Sequence, residues 1–213
     1  MKKLSVMLFL GVLTVISMSG CGVYRGQPLG AAKYYYLTPD EDLGTVGRVD
    51  IVEFVNQTRN PQIGAEMSRT VFQGLQKKQM FGLRLFGLED AQWKSLQVAP
   101  DTAYSLEELR AMRDALGSDA VVTGAVTDYR PFPHMSMSLR LSMIDLRDGK
   151  LLWAVDHTWD TADKETQERI RRYFRDQVRT GYEPLREDLV IISPIEFNKF
   201  VSYEVVETLD TGN

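Results

Sequence analysis

The chain has 213 residues, of which 44% are hydrophobic, 25% are charged and 10% are aromatic. This is the composition of an ordinary globular protein, and it excludes a wholly disordered, collagenous or disulfide-stapled chain. The formal charge of −4 and the pI near 5.3 lack the basic balance of a nucleic-acid-binding domain. We therefore expect no nucleic acid among its partners.

Residues 1–20 have the pattern of a cleaved targeting segment. Lys2 and Lys3 give a positive start, and residues 4–18 form a mostly apolar run. A membrane-spanning helix needs about 20 apolar residues to cross roughly 30 Å of hydrocarbon, so this run is too short to be one. Residues 1–20 are therefore predicted to be removed as a signal peptide.

Cys21 follows this segment and is the only cysteine in the chain. Together with the preceding Met18-Ser19-Gly20 it resembles the lipobox of bacterial lipoproteins, although Met18 stands where Leu is commoner. The resemblance implies diacylglycerol on the Cys21 sulfur, cleavage before this residue and a further acyl chain on the new amino group. Gly22 in the next position favours sorting to the outer membrane in that class. The alternative for Cys21 is a buried or unpaired thiol that happens to follow a signal.

Acylation of Cys21 has consequences for the chemistry of the mature chain. Two or more acyl chains hold a protein stably at a membrane, whereas one chain does so only marginally. Since no other thiol remains, disulfides, thiolate zinc sites and cysteine nucleophiles are excluded. Removal of Lys2 and Lys3 changes the formal charge from −4 to −6 (−4 minus 2), so the soluble part is not expected to bind anionic lipid.

Residues 21–45 are predicted to form the lipidated N-terminus and a short tether, because glycines and prolines punctuate them. The apolar patch Tyr34-Tyr35-Tyr36-Leu37 interrupts this tether. It would suit a docking strip for a partner, an interfacial anchor or a first strand packed on the domain. We favour the strand.

Residues 46–213 are predicted to form a single α/β (α+β) domain, with a helical extension from about residue 163. Hydrophobic alternation predicts a mixed sheet of about five strands with helices packed on it; the strands lie at residues 49–55, 83–86, 120–129, 135–143 and 151–158. Apolar residues at helical spacing predict helices at 64–80 and after residue 105, followed by two C-terminal helices at 164–180 and after residue 193.

Specific local signals mark several helix ends. Ser105 and Glu108 have the spacing of a capping box, and Gly117 lies where a helix would end in a left-handed residue. Ser193 followed by Pro194 predicts the start of the last helix.

Residues that would mark an enzyme are few. His134 lies in a loop and His157 in a strand near Trp153 and Trp159, and the two histidines do not have metal-ligand spacing. The sequence has no serine-nucleophile signature, no Walker loop and no dinucleotide-binding glycine motif. We therefore predict no catalytic residue, no metal or cofactor site and no enzymatic activity.

Other features have a structural and a functional interpretation. Asp145 and Asp148 are most simply turn formers, and a pocket near His157 and Trp159 would suit a small molecule or glycan. The helix after residue 164 has a charged face that we interpret as solvated. Its charged residues are Glu165, Glu168, Arg169, Arg171, Arg172 and Arg175. The alternative is a docking patch for an acidic partner, formed by Arg171, Arg172, Arg175 and Arg179.

The middle of the chain resembles a family in its motifs and element order. Residues 49–58, VDIVEFVNQT, look like the opening strand and Asn-rich loop of the curli-secretion (CsgG-type) lipoproteins. They are similar also to penicillin-binding-protein activator lipoproteins and to TolB amino-terminal-like domains. Residues 116–124, LGSDAVVTG, and the Asp-x-x-x-Gly-x-Leu-x-Trp pattern of residues 145–153 match later elements. The resemblance implies helices on a mixed sheet and a role in assembly, secretion or regulation; it carries over no catalytic residue.

These features together predict a non-enzymatic lipoprotein of the cell outer membrane, anchored through acyl chains on Cys21 with its domain in the periplasm. It would act as an assembly, secretion-accessory or scaffold component through contacts with other envelope proteins or with itself. The alternatives are a regulator (activator) of a cell-wall synthase and a small-molecule- or glycan-binding periplasmic domain. Residues 34–37 and the last helix are the candidate contact segments, and the alternative for each is a place in the core.

Overall fold

A computed structural model describes residues 35–39, 42–100, 102–177 and 193–209. These residues form a mixed seven-stranded sheet with helices packed on it, which confirms the predicted α/β fold class. Besides the five strands predicted for the domain, the sheet contains the favoured strand of the tether patch, at Tyr35–Leu37, and one short strand that was not predicted, at Val55–Asn56. The predicted signal peptide, Cys21, Tyr34 and Arg179 lie outside the described residues.

Strands and helices are numbered here in chain order. The strands are β1 (Tyr35–Leu37), β2 (Arg48–Val52), β3 (Val55–Asn56), β4 (Gly82–Phe86), β5 (Ala120–Arg130), β6 (Ser136–Asp145) and β7 (Leu151–Asp160). The helices are α1 (Ile63–Lys78), α2 (Ala91–Lys94), α3 (Leu106–Leu116), α4 (Lys164–Gln177) and α5 (Pro194–Glu207). No helix within these bounds is long and apolar enough to cross a membrane.

The strand order across the sheet is β1-β7-β6-β5-β2-β4, and the short β3 also pairs with β5. β2 is parallel to β4 and β5, and the chain between these strands passes through helices, as parallel neighbours require. β5, β6, β7 and β1 are antiparallel neighbours. β1 and β4 therefore lie at the two edges of the described sheet.

Alternation along β6 shows how the sequence builds the two faces of the sheet. Met137, Leu139 and Leu141 are buried, whereas Arg140 between them is exposed on the opposite face. The buried residues belong to a large hydrophobic cluster between the sheet and α1, α4 and α5. On the other face a smaller cluster packs β2 and β4 against α2 and α3. The C-terminal helices are therefore part of the main core.

Three predicted helix boundaries are confirmed by their local chemistry. The Glu108 N–H donates to Ser105 Oγ at 3.3 Å and the Ser105 N–H donates to Glu108 Oε2 at 2.7 Å, which completes the capping box of α3. Gly117 follows this helix with φ +64°, in the left-handed region. Ser193 caps α5 by accepting from the Glu196 N–H.

The predicted strand at residues 49–55 is interrupted in the structure. The Phe54 N–H donates to Ser68 Oγ of α1 at 2.7 Å instead of to a neighbouring strand. β2 therefore ends at Val52, and β3 begins at Val55, where it pairs with a later part of β5 than β2 does. A hydrogen bond between residues 14 positions apart is not visible in a local hydrophobic pattern, which is why the sequence predicts one continuous strand.

β2 also buries a carboxylate, Asp50, which is 0% exposed. Arg84, directly opposite on β4, donates from Nε and Nη2 to its two oxygens at 2.9 and 2.7 Å. Ser118 adds a hydroxyl at 2.6 Å. Such a bidentate arginine pair fixes geometry as well as charge, so Asp50 joins β2, β4 and the start of β5.

Candidate functional site

The predicted contact strip at residues 34–37 becomes, from Tyr35 onward, the edge strand β1. Tyr35 lies opposite Val155 of β7, and Leu37 lies opposite Trp153. Leu37 packs against the main core, whereas Tyr35 and Tyr36 are 44% and 43% exposed. The favoured interpretation as a first strand is confirmed for Tyr35–Leu37, and the same strand presents two tyrosines at the edge of the sheet.

The second candidate contact segment, α5, belongs to the core. Phe197, Phe200 and Val201 on its apolar stripe are fully buried. The helix lies so close to α1 that a Cβ on Gly74 would come within 3.0 Å of Ser202 Oγ. Of the two interpretations of this helix, contact segment or part of the core, the structure supports the core, because its stripe is already covered by the sheet and by neighbouring helices.

His157 and Trp159, the candidate pocket residues, lie two positions apart on β7. Their rings meet edge to face, with centroids 4.8 Å apart and planes at 88°. Trp159 is fully buried, and its Nε1 donates to Oε2 of Glu204 at 2.6 Å. Since the Trp159 ring has no open face on which a sugar could stack, the predicted pocket is occupied here by packed side chains.

A buried ion pair next to Trp159 was not predicted from the sequence. Glu204 Oε1 on α5 lies 3.1 Å from Arg169 Nε on α4, and the two residues are 1% and 6% exposed. Glu165, one helical turn earlier, lies 3.6 Å from the same guanidinium. The prediction that Arg169 belongs to a solvated helix face is therefore wrong. We call the group of Glu204, Arg169 and Trp159 the Glu204 clasp.

A signal for Glu204 is present in the sequence. It lies at helical spacing from Phe197, Phe200 and Val201, so it is a charged residue inside an apolar stripe. A carboxylate at such a position is buried only when it is paired. That pattern could have predicted a buried partner, although not which arginine supplies it.

The electrostatics of the clasp are dominated by burial. Loss of solvent raises the pKa of Glu204 to about 7, against the opposing effects of Arg169 and of the Trp159 N–H. A carboxyl group that titrates near neutrality is a feature of acid–base sites. Here, however, both oxygens face Trp159 and Arg169 and the residue is 1% exposed. The geometry is that of a structural link between β7, α4 and α5.

Two grooves mark the described surface, and neither is lined by a histidine. One, of about 360 Å³, lies between α1, α4 and α5 and is lined mostly by polar and charged residues. Two of its lysines are engaged in ion pairs, Lys78 with Glu207 at 2.7 Å and Lys199 with Glu196 at 2.8 Å. The other, of about 480 Å³, lies beside β3 and α2 and is lined largely by apolar side chains, including Trp93. No convergent set of catalytic groups lies in either groove.

The remaining predicted residues lie in the turn after β6 and on the exposed face of α4. Asp145 accepts from the Arg147 N–H at 2.7 Å and Asp148 accepts from the Lys150 N–H at 3.0 Å, so both are turn formers as predicted. The arginines of the predicted docking patch within α4 are exposed: Arg171, Arg172 and Arg175. A role for them in binding an acidic partner remains a prediction. Within the described ranges, no group of three or more His, Cys, Asp or Glu side chains is placed to hold a metal ion.

His134 lies in the exposed loop that joins β5 to β6. The same loop contains Phe132, which is 84% exposed, more than any other large hydrophobic side chain in the part of the chain that the structure covers. The loop thus combines an imidazole with an apolar ring that makes little contact with the fold.

Neither a family model nor a curated protein sequence matches this chain. Solved structures are similar to part of it. The PelC dodecamer from Paraburkholderia phytofirmans is 16% identical over 63% of this chain and 86% of its own, with a TM-score of 0.43. Lipoprotein GNA1162 from Neisseria meningitidis is 16% identical over 54% of this chain and 82% of its own, with a TM-score of 0.41. E. coli LpoB is 15% identical over 74% of this chain and 86% of its own, with a TM-score of 0.40.

At this level of similarity the comparisons describe a shared arrangement of strands and helices, and no argument about function rests on them. The resemblances to CsgG-type lipoproteins and to TolB amino-terminal-like domains remain predictions.

Proposed function

We propose that this chain is a non-enzymatic lipoprotein, held at the outer membrane by acyl chains on Cys21. Its periplasmic domain would dock onto another envelope protein or onto a second copy, and so serve assembly, secretion or scaffolding. The observation that carries the proposal is the position of the only cysteine directly after a signal-type segment. Acylation explains that position, whereas a buried thiol would have no reason to lie there.

The buried charged groups of the domain are paired within the fold, which supports a scaffold role for this protein. Asp50 is held by Arg84 and Ser118 and joins β2 to β4 and to the segment just before β5. Glu204 and Arg169 join two helices to β7. Asp50 and Glu204 both bind side chains of neighbouring strands, helices and connections, so they help to fix the geometry of the fold.

The β1 edge is the contact surface that we favour. An edge strand presents backbone N–H and C=O groups to which a partner strand can add. Tyr35 and Tyr36 stand beside this edge and are nearly half exposed, and tyrosine is enriched in protein interfaces. Because β1 is the first strand after the tether, a partner bound there would lie near the membrane that holds Cys21.

The test is purification of the full-length acylated protein from native membranes in mild detergent, with the mass and composition of the complex determined. We expect a stoichiometric partner or a closed homo-oligomer. The double change Tyr35→Ser and Tyr36→Ser should release it. Leu106→Ser, which removes a 58% exposed side chain from α3, is the matched control and should not. A wild-type protein that is always a lone monomer would contradict docking.

The identity of the partner separates the two forms of the proposal. A cell-wall synthase in the complex would make this protein a regulator, and the purified chain should then stimulate that enzyme in vitro. Structural or secretion proteins, or copies of the chain itself, would support the assembly role.

A further inference from the structure

The loop between β5 and β6 presents an apolar ring to the outside of the protein. Its residues 131–134, Pro-Phe-Pro-His, are all exposed, and Met135 after them is buried. Phe132 is 84% exposed, although full burial of a phenylalanine side chain contributes about 1.5–3 kcal/mol. The fold does not use this side chain, so its apolar surface remains available for another contact.

This loop is held on a rigid support. β5 and β6 pair along their whole length, up to Arg130 opposite Ser136 at the base of the loop. Arg130 lies 3.3 Å from Asp160 at the end of β7, and the Thr161 N–H donates to the Met135 carbonyl at 2.8 Å. The two ends of the loop are therefore held by the sheet, which lowers the entropic cost of ordering the loop on binding.

The backbone of the loop suits a lipid surface better than a protein strand. Pro131 and Pro133 flank Phe132 and have no N–H group. A backbone N–H group without a hydrogen-bond partner in hydrocarbon costs several kcal/mol. Because prolines occupy positions 131 and 133, the loop has two fewer N–H groups that would need a partner there. A partner strand, in contrast, binds through those same N–H groups.

The path of the chain brings this loop towards the membrane. β1 runs from Tyr35 opposite Val155 to Leu37 opposite Trp153, whereas β7 runs the other way and ends at Asp160, beside the loop. The N-terminal end of β1 therefore points towards the end of the sheet that carries the loop. Only 14 positions (35 minus 21) separate Cys21 from Tyr35, a length of at most about 50 Å.

A second exposed apolar side chain lies at this end. α5 contacts Trp153 through Thr208 and Trp159 through Glu204. Because Trp159 is near the end of β7, the first residues of α5 lie further towards the same end as Phe132. Ile195 among them is 68% exposed.

We propose that this end of the domain, which we call the loop end and define by Phe132 and Ile195, rests on the lipid surface with Phe132 inserted between lipids. The inference relies on the acyl anchor at Cys21 to bring the domain to the membrane, and adds the orientation of the domain on it. The contact is apolar, and the predicted mature charge of −6 (−4 minus 2) opposes attraction to anionic lipid. Docking should therefore occur on zwitterionic phosphatidylcholine and should not weaken with salt.

The test uses the full-length acylated protein in phosphatidylcholine vesicles. Acylation blocks the Cys21 sulfur, so His134→Cys supplies the only free thiol for a fluorescent label beside Phe132. Asp148→Cys is the matched control, because Asp148 is exposed in the turn between β6 and β7 at the opposite end of the sheet. Quenching by lipids with a nitroxide on the acyl chain reports which label reaches the bilayer.

We expect at least twofold stronger quenching of the label at position 134 than at position 148, unchanged in high salt and reduced to the control level by Phe132→Ser. Equal quenching at both positions, with the protein still floating with the vesicles, would overturn the orientation and leave the acyl anchor intact. Loss of flotation would overturn the anchor itself and the docking with it. Shielding of position 134 only when envelope proteins are added would show that the loop binds protein and would refute lipid docking.

Discussion

Glu204 gives the stability of the fold a dependence on pH that follows from its surroundings. Arg169, the Trp159 N–H and Arg172 favour its charged form, whereas burial, the largest effect, and Glu165 favour the neutral form. The balance raises the pKa of Glu204 to about 7 from an ordinary value of 4.5. The carboxyl group is therefore partly protonated at neutral pH inside the folded protein.

Because the pKa is higher in the folded than in the unfolded chain, the folded state holds this proton more tightly. The stability contributed by the neutral carboxyl group is fully present below pH 4.5 and is lost as the pH rises through about 7. One pKa unit corresponds to about 1.4 kcal/mol, so the difference between the two values amounts to about 3 kcal/mol.

Urea unfolding of the mature chain with Cys21→Ser, followed by tryptophan fluorescence at pH values from 4.5 to 8, measures this effect. We expect the free energy of unfolding of the otherwise wild-type chain to fall by about 3 kcal/mol more than that of Glu204→Gln over this range. Glutamine keeps an oxygen for the Trp159 N–H but has no proton to titrate. Glu196→Gln, on the same helix but only partly buried, controls for the loss of a carboxylate.

Two results would refute this account of the clasp. The same pH dependence with and without Glu204→Gln would show that burial does not raise the pKa of Glu204. A chain that gains stability towards pH 8 relative to Glu204→Gln would show that pairing with Arg169 outweighs burial.

Two further substitutions test the sheet. Asp50→Asn should lower the free energy of unfolding in urea by about 2 kcal/mol, which is less than for a fully buried pair, because the Arg84 side chain is 38% exposed and can be solvated. Asp148→Asn is the control. An unchanged urea midpoint for Asp50→Asn would contradict an anchoring role for Asp50. Gly124→Ala should cost about 3 kcal/mol in thermal unfolding, because its Cβ would lie 2.2 Å from the Arg140 carbonyl oxygen. Gly82→Ala, with its nearest neighbour at 3.4 Å, should be tolerated, and equal melting temperatures for the two variants would argue against this close approach.

The elements that were predicted well are those whose signal is local. The capping box of Ser105 and Glu108 depends on residues three positions apart, and both of its hydrogen bonds are present. The alternation of Met137, Leu139 and Leu141 requires only that one face of β6 be covered. In such segments the secondary-structure propensity, the hydrophobic pattern and the capping residues all favour the structure that the fold contains.

The features that were missed depend on contacts between distant parts of the chain. Arg169 is one of several arginines on α4, and only the position of α5 decides that it is the buried one. β3 is a separate strand because Ser68 on α1 accepts the hydrogen bond of the Phe54 N–H. The exposure of Phe132 likewise could not be predicted, since an apolar residue between two prolines is as compatible with a buried turn.

The acyl anchor on Cys21 is tested most directly by the intact mass of the full-length protein extracted from bacterial membranes. We expect a chain that begins at Cys21 and carries the added mass of a diacylglycerol and a further acyl chain. The Cys21→Ser variant should remain unprocessed, or be soluble and unacylated. A protein that keeps residues 1–20, or one that stays on the membrane with an unmodified Cys21, would contradict it.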